Sequence, residues 1–190
     1  MSGVLVLPAT AGRFLTLPRP ALRIPAIITR RGDPEPPEAP PPVLDIHRQP
    51  LRFATDWQTA ILDECRRHRS LCDPVFAFLR DSGLLPRCLY LSSATPDGPL
   101  LFRHIGVPTR LCLGDEWARA NLGKPDSAPS DRLETGVAAE YVEAIETGRP
   151  ILNRVFVTDV MERPLTYTHA LVGWRLPDGR RALLSCLELL

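Results

Sequence analysis

The chain is 190 residues long, and 44% of its residues are hydrophobic while 24% are charged. This balance is typical of a globular protein with a single core, so we expect one folded domain. The formal net charge of +1 leaves no excess of cations for contacting phosphates, which argues against a nucleic-acid partner. No segment reaches the roughly 20 consecutive apolar residues that span a bilayer, so no membrane partner is predicted.

The cysteines form neither a metal-binding motif nor a disulfide pattern. Their spacing is irregular, no C-x-x-C pair occurs, and no group of histidines lies beside them. Such cysteines usually serve as small buried hydrophobic residues, and an odd, scattered set fits a reducing cytoplasm, where we expect the protein to be located. No metal is therefore predicted at these residues, which are Cys65, Cys72, Cys88, Cys112 and Cys186.

Residues 1–50 are rich in proline and contain 11 of the 21 prolines of the chain. Proline interrupts helices and cannot donate to a β-ladder, so we expect this segment to be a disordered or polyproline-like tail. The folded domain is then expected to span residues 51–190, and removing the tail should leave its stability nearly unchanged. A role of the tail as a P-x-x-P ligand remains open.

Two helices are predicted at the start of the domain. Thr55 and Gln58 have the spacing of a capping box at the start of a helix over residues 55–69. Asp73, followed by proline, is expected to cap a second helix over residues 73–82. The first helix carries an apolar stripe made of Trp57, Ile61 and Cys65. We expect this stripe to be buried on the outer face of the domain's own sheet or, as the preferred alternative, across a homodimer interface.

A β-hairpin is predicted next, with strands over residues 87–93 and 100–107. Asp115 is expected to cap a short helix that follows the hairpin. The longest helix is predicted at residues 132–147, with its apolar stripe toward the core and its acidic residues facing water. The stripe consists of Val137, Tyr141 and Ile145, and the acidic residues are Glu140, Glu143 and Glu146.

The last forty residues predict three consecutive strands. Residues 151–160, 165–176 and 182–190 are rich in β-branched and aromatic residues and are separated by short proline-containing turns. This pattern indicates an antiparallel meander. An antiparallel sheet needs at least one covered face, and the long helix directly upstream is the expected cover. The fold class is therefore α+β.

The predicted order from residue 87 onward is two strands, short helices, one long helix and three strands. Four segments fit this order, and they are Phe102-Arg103-His104-Ile105-Gly106, Asn121-Leu122-Gly123-Lys124, Glu146-Thr147-Gly148-Arg149-Pro150, and Tyr167 to Trp174 followed by Pro177-Asp178-Gly179. On these segments, residues 56–190 resemble the PAS domain family, in particular small bacterial proteins with a single PAS domain and a tryptophan-bearing first helix. The resemblance implies a five-stranded antiparallel sheet with helices across one face, preceded by two N-terminal helices.

The resemblance also implies a sensory, regulatory or protein-interaction domain, with a small-molecule ligand between sheet and long helix or another signalling protein as partner. The residues expected to line such a ligand site are Phe102, His104, Trp117, Tyr141, Phe156, Tyr167, His169 and Trp174. Haem-binding members usually carry the haem ligand on the long helix, which has no histidine here, and flavin photosensors need an Asn-Cys-Arg-type motif that Cys112 lacks. No cofactor is therefore predicted. His104 and Gly173-Trp174 depart from the family pattern and leave the ligand's identity open.

Two other functional classes remain as alternatives. The chain could be a purely structural module for partner binding or dimerisation. It could also be a small hydrolase-like enzyme, since Ser92, His104 and Asp159 are the residue types of a catalytic triad. However, no G-x-S-x-G segment accompanies them, and no glycine-rich phosphate-binding motif occurs. We therefore expect no enzymatic activity.

Overall fold

The computed structural model describes residues 44–126, 133–160 and 163–190. Within these residues the chain forms six strands, five helices and two short 3-10 turns, an α+β fold as predicted. The strands are β1 (Leu44–Gln49), β2 (Cys88–Ser93), β3 (Leu100–Ile105), β4 (Ile151–Val160), β5 (Arg163–Arg175) and β6 (Arg181–Leu189). The helices are α1 (Asp56–Arg66), α2 (Asp73–Asp81), α3 (Val107–Leu113), α4 (Asp115–Asn121) and α5 (Leu133–Thr147). None of these described helices is both long and apolar enough to cross a membrane.

The six strands form one antiparallel sheet in the order β1-β4-β5-β6-β2-β3. The predicted meander is confirmed as β4, β5 and β6, and β3 lies at an edge of the sheet. From β2 onward the elements follow the predicted order, because two strands are followed by three helices and then by three strands. The predicted number of five strands is wrong, since β1 adds a sixth strand beside β4.

The additional strand β1 lies within the segment that was predicted to be a disordered tail, so that prediction is wrong for these six residues. They contain no proline, and the apolar residues Leu44 and Ile46 alternate with polar ones, which is the pattern of a half-buried strand. The whole strand pairs with β4. Apart from Pro50, which follows β1, the rest of the predicted tail comprises residues 1–43, and these lie outside the described residues.

Helices cover both faces of the sheet, with the long helix on the inner face and the two leading helices on the outer face, which is one of the two alternatives predicted for α1. On the inner face, α4 and α5 pack against β2, β3, β5 and the start of β4. On the outer face, α1 and α2 pack against β4, β5 and β6. A sheet face as apolar as the outer one would otherwise be exposed to water, so the two leading helices complete a three-layer arrangement.

Helix α1 begins with the predicted capping box, and the same residue attaches it to the sheet. Thr55 Oγ1 accepts a hydrogen bond from the Gln58 backbone N–H at 3.4 Å, and the Thr55 N–H donates to Gln58 Oε1 at 3.1 Å. Gln58 is fully buried, and its Nε2 donates to the Cys186 carbonyl at 3.0 Å and to Thr168 Oγ1 at 3.3 Å. The buried side-chain amide of Gln58 therefore makes hydrogen bonds both to the start of α1 and to the sheet.

The apolar stripe of α1 is buried within the chain itself. Ile61 and Cys65 are buried in the outer-face core, and Trp57 is half-buried against it. The guanidinium of Arg87 lies 5.0 Å from the centre of the Trp57 ring. This arrangement is the first of the two predicted alternatives, burial on the outer face of the domain's own sheet. The stripe is therefore buried without a second copy of the chain.

The predicted N-caps of two helices are each displaced by one residue. Helix α2 begins at Asp73 with Cys72 in the N-cap position, and α4 begins at Asp115 with Gly114 in that position. Neither N-cap residue makes a side-chain capping bond. The two aspartates instead stand in the first turn, where the helix dipole favours a negative charge.

Helix α5 crosses the inner face and comes closest to the sheet at Gly173 of β5. A Cβ atom added to Gly173 would lie 2.5 Å from the Cα of Ile145 and 2.5 Å from the carbonyl carbon of Ala144. Only glycine permits so close an approach of two backbones. The predicted stripe of α5 is confirmed, because Val137, Tyr141 and Ile145 are all buried.

Deleting residues 1–43 is expected to leave the melting temperature nearly unchanged, whereas deleting residues 1–50 should lower it by roughly 5 °C or more. The longer deletion removes β1, which leaves the edge of β4 unpaired. Differential scanning calorimetry of the two truncated proteins measures the difference. Equal melting temperatures would show that β1 contributes nothing to stability.

Replacing Gly173 with alanine is expected to destabilise the protein by about 3 kcal/mol, because the new methyl group collides with the backbone of α5. Gly83→Ala is the matched control, since Gly83 has φ of 70° but no atom within 4 Å of the added Cβ. That control should cost only about 1 kcal/mol from backbone strain. Urea denaturation compares them, and equal losses would contradict a close α5–β5 contact.

Candidate functional site

A cavity lies on the inner face, between the sheet and helices α3, α4 and α5. It offers about 90 Å³ of space to the centre of a water-sized sphere. A single water needs roughly 10–15 Å³ on this measure, so the cavity has room for several waters or for one small organic molecule. Its lining residues are Leu89, Phe102, Thr109, Cys112, Leu113, Trp117, Asp126, Val137, Tyr141, Leu165, Tyr167, His169 and Leu187. We refer to this space as the inner cavity.

Five of the eight residues predicted to line a ligand site surround the inner cavity. Tyr167 and His169 are two positions apart on β5, so both side chains point to the inner face, and their ring centres are 5.8 Å apart. The rings of Phe102 and Trp117 meet edge to face with their centres 5.5 Å apart, and Tyr141 approaches from α5. The structure thus brings these five together, and their binding of a ligand stays a prediction.

His104 is not at the inner cavity, although it lies only two residues from Phe102. The pairing of β2 with β3 shifts there, since Tyr90 lies opposite His104 while Leu91 lies opposite Phe102. The extra residue forms a β-bulge, which turns the following side chain to a different direction. His104 Nε2 instead lies 3.1 Å from the carbonyl oxygen of Leu85.

Phe156 and Trp174 also lie away from the inner cavity, because each occupies an outward position in its strand. Phe156 follows buried, inward-facing Val155 and is itself 39% exposed. Trp174 is buried in the outer-face core, where its Nε1 donates to the carbonyl oxygen of His68 at 3.4 Å. Successive side chains of a strand point to opposite faces, so neither residue can join His169.

A chain of polar groups leads from the inner cavity to the edge of the sheet. Asn153 of β4 is fully buried, and its Nδ2 lies 3.0 Å from Nε2 of His169 and 2.6 Å from a carboxylate oxygen of Glu140. Asn153 Oδ1 accepts from Arg48 Nε of β1 at 2.9 Å. The Arg48 guanidinium also donates to Glu140 at 2.7 Å and to both oxygens of Glu143 at 2.8 and 2.9 Å. We call these five residues the polar chain.

The orientation of Asn153 fixes the proton on His169. A carboxylate only accepts hydrogen bonds and a guanidinium only donates them, so the NH₂ group of Asn153 must face Glu140 and its oxygen must face Arg48. The second N–H of that NH₂ group then points at His169 Nε2, which has to accept. Neutral His169 therefore carries its proton on Nδ1, the nitrogen that a ligand could address.

The environment keeps His169 neutral. Burial disfavours the imidazolium and the nearby positive charge of Arg48 opposes it further, so the pKa of His169 is lowered to about 4. His169 is only 1% exposed. At neutral pH this residue consequently offers hydrogen bonds to the cavity without a charge.

Asp126, which follows α4, is the lining group whose pKa falls nearest to physiological pH. Burial raises the pKa of Asp126 to about 6, because the carboxylate loses water. Its backbone N–H donates to the Leu100 carbonyl at 2.8 Å, which holds the residue against the edge of β3. A carboxyl with a raised pKa in a cavity is a recognised mark of a functional site.

Two further titratable side chains that line the inner cavity, those of Cys112 and Tyr167, are neutral at pH 7. Burial raises the pKa of the Cys112 thiol to about 11. Burial also raises the pKa of the Tyr167 hydroxyl well above its ordinary value. The cavity is thus apolar with neutral polar groups, and Asp126 is the lining residue in the described part of the chain that bears a negative charge above pH 6.

Sequence reasoning missed the polar chain and Asp126. Glu140 and Glu143 were predicted to face water, and both also bind Arg48. The Glu143 side chain is 46% exposed, as predicted, whereas that of Glu140 is only 19% exposed. Asn153 offered one signal, because it takes an inward position of β4 between apolar Ile151 and Val155, and a polar residue in such a position marks a buried hydrogen bond. Arg48 offered none, since it stands 92 residues from Glu140 along the chain.

The enzyme alternative gains no geometric support from the described residues. Ser92 accepts a hydrogen bond from Arg103 at 3.1 Å, and His104 contacts a backbone carbonyl, so the described contacts do not connect the two as a catalytic pair. The side chain of Asp159 is not among those that the structure describes. No group of potential metal ligands occurs among the described residues, and all five cysteines are free thiols.

Comparisons with known proteins give a distant structural likeness. No protein-family model and no curated protein matches the chain. A solved structure described as an RNA-binding light-oxygen-voltage receptor is similar at 17% sequence identity and a TM-score of 0.35. The match covers 54% of this chain and 29% of that one, so this chain spans less than a third of the receptor's length. A likeness of this extent assigns neither a family nor a ligand to the chain.

The difference in unfolding free energy between the wild-type protein and Asp126→Asn is expected to depend on pH. The pKa of Asp126 is raised on folding, so its carboxyl favours the folded state at pH 4 and this contribution is lost as the pH rises through about 6. The wild type should thus lose stability relative to Asp126→Asn as the pH rises from about 4 to about 6, and the difference should level off above pH 6. Both proteins retain His169, so its titration cancels in the difference.

Asp115→Asn is the matched control for this experiment. Its side-chain hydrogen bond with Arg110 lowers the pKa of Asp115, so the sign of the pH dependence reverses and the wild type should lose relative stability as the pH falls. Urea denaturation between pH 4 and 8 measures the difference for Asp126→Asn, and the same measurement continued below the ordinary aspartate pKa of 3.8 measures that for Asp115→Asn. A pH-independent difference for Asp126→Asn would contradict the raised pKa.

Proposed function

We propose that the chain is a PAS-like sensory or regulatory domain that binds a small molecule in the inner cavity. The cavity itself carries the proposal, because its apolar and aromatic lining with a few convergent polar groups is typical of small-molecule sites. The order of elements from β2 to β6 supports the PAS-like part of the proposal. The proposal involves binding and no catalytic step.

The electrostatics of the inner cavity favour a neutral ligand. An anion would lose its hydration shell to apolar walls and would be repelled by ionised Asp126. A cation would also lose its hydration shell, and the single carboxylate of Asp126 would offset only part of that loss. Neutral His169 supplies a hydrogen bond without a compensating charge. The ligand class is therefore a small, mostly apolar molecule with one neutral polar group.

Helix α3 is the element through which this domain would act on a partner protein. Thr109 and Cys112 face the inner cavity, while Val107 and Leu111 on the same helix are 44% and 70% exposed. These two apolar residues are four positions apart and share one face of the helix. In the proposal, a ligand that shifts α3 changes the apolar surface offered to another signalling protein.

The exposed apolar face of α3 also favours the second candidate function, a partner-binding module that needs no ligand. The two functions differ in what happens when the inner cavity is filled by a side chain. A sensory domain loses its response, whereas a structural module keeps its partner and its stability.

Native mass spectrometry of the protein purified from its own host tests the proposal directly. We expect a retained neutral molecule that is released on denaturation. If none is retained, toluene and benzyl alcohol at millimolar concentration should still raise the melting temperature. A protein that retains nothing and responds to neither compound would contradict a ligand site.

Val137→Phe is expected to abolish binding, because Val137 lines the inner cavity and the larger side chain occupies its space. The melting temperature should change little, since the added ring enters existing space. Val142→Phe is the matched control, as Val142 lies on the same helix but is 52% exposed. Ligand retention by the first variant, or its loss from the second, would argue against the inner cavity as the site.

A further inference from the structure

Strand β1 has few attachments to the rest of the domain. Its backbone pairs with β4, and Leu44 and Ile46 are only partly buried against the inner-face core. The remaining attachment is Arg48, whose guanidinium makes four hydrogen bonds to Glu140, Glu143 and Asn153. Edge elements with so little buried apolar surface open more readily than the core. Besides this backbone pairing and partial burial, Arg48 is therefore the described side chain that joins β1 to the polar groups of β4 and α5.

The polar chain has only one self-consistent arrangement. If the Asn153 amide turned over, its NH₂ group would face the donor Arg48 Nε and its oxygen would face the carboxylate of Glu140. Both contacts would then be repulsive. Because Asn153 is fully buried, water does not repair them. The hydrogen bond between Asn153 and His169 and the hydrogen bond between Asn153 and Arg48 are consequently made or broken together.

His169 is the end of the polar chain that faces the inner cavity. As long as its proton is on Nδ1, Nε2 accepts from Asn153 and the arrangement is satisfied. A ligand that donates a hydrogen bond to Nδ1 requires the proton on Nε2, which would then oppose the N–H of Asn153. A ligand that accepts from Nδ1 keeps the proton in place and strengthens the arrangement.

We propose that the polar chain couples the wall of the inner cavity to β1, so that hydrogen bonding at His169 determines whether β1 stays docked on β4 and α5. The coupling belongs to the described residues themselves, and only its use by a ligand rests on the function proposed above. Release of β1 uncovers the edge of β4, which is a row of unpaired backbone donors and acceptors. Such an edge accepts a strand from a partner. The choice between donor and acceptor ligands would thus set the state of this edge.

Hydrogen exchange of the backbone amides of β1, measured by mass spectrometry, tests the coupling without any ligand. His169→Phe keeps an aromatic ring in place but removes the nitrogen that accepts from Asn153. Exchange protection of β1 should fall roughly fivefold, the effect of losing about one hydrogen bond, while the amides of β6 stay protected. Thr166→Val is the control, because Thr166 lies on β5 but on the opposite face, and it should leave the protection of β1 unchanged.

A double-mutant cycle shows whether the loss of β1 protection in His169→Phe depends on Asn153. In an Asn153→Leu background, His169→Phe should cause no further loss of protection in β1. If Asn153→Leu does not fold, Arg48→Lys provides the same background, because lysine keeps the charge but not the forked contacts of the exposed Arg48 site. Unchanged β1 protection in His169→Phe, or the same loss in both backgrounds, would overturn the proposal. Since no ligand is used, this result is independent of the mass-spectrometry test of ligand binding.

Discussion

The close contact between α5 and Gly173 determines the geometry of the inner face. At this point two backbones meet without an intervening side chain, beside Ala144 and Ile145. Toward the other end of α5, the side chains of Val137 and Tyr141 stand between the helix and the sheet, and the inner cavity opens there. A helix behaves as a rigid rod over this length, so fixing one end close to the sheet also sets the height of the opening at the other.

Strand β5 transmits this geometry to the outer face, because its alternate side chains serve two different cores. Leu171 packs under α5 while Val172 packs under α1. Gln58 then attaches α1 to β6 through the Cys186 carbonyl, which leaves little freedom for the sheet to shift beneath either layer. The inner cavity therefore lies in a sheet that is held from both sides, and the adjustable parts are the elements at its rim.

Local patterns in the sequence predicted the elements that local interactions create. The capping box of Thr55 and Gln58, the stripe of α5 and the final meander all follow from spacings of a few residues. The face of the sheet to which a side chain points depends on the pairing register. A β-bulge beside Phe102 turns His104 away from the inner cavity, whereas regular alternation would have placed both side chains on the same face. Partners of Arg48 lie more than 90 residues away, so no local pattern could reveal them. The prediction of the five residues that surround the inner cavity came from the family resemblance together with strand alternation.

The strength of the polar chain is distributed unevenly along its length. Arg48 is half exposed, and ion pairs in such positions usually contribute only about 0–1 kcal/mol. The bond between Asn153 and His169 is buried, so breaking it leaves unsatisfied groups at a cost of about 1–3 kcal/mol. The buried end therefore carries more of the stabilising free energy of the polar chain than the exposed end. In the proposed coupling, which is reciprocal, a change of hydrogen bonding inside the cavity alters the docking of β1 by as much as release of β1 alters the hydrogen bond at His169.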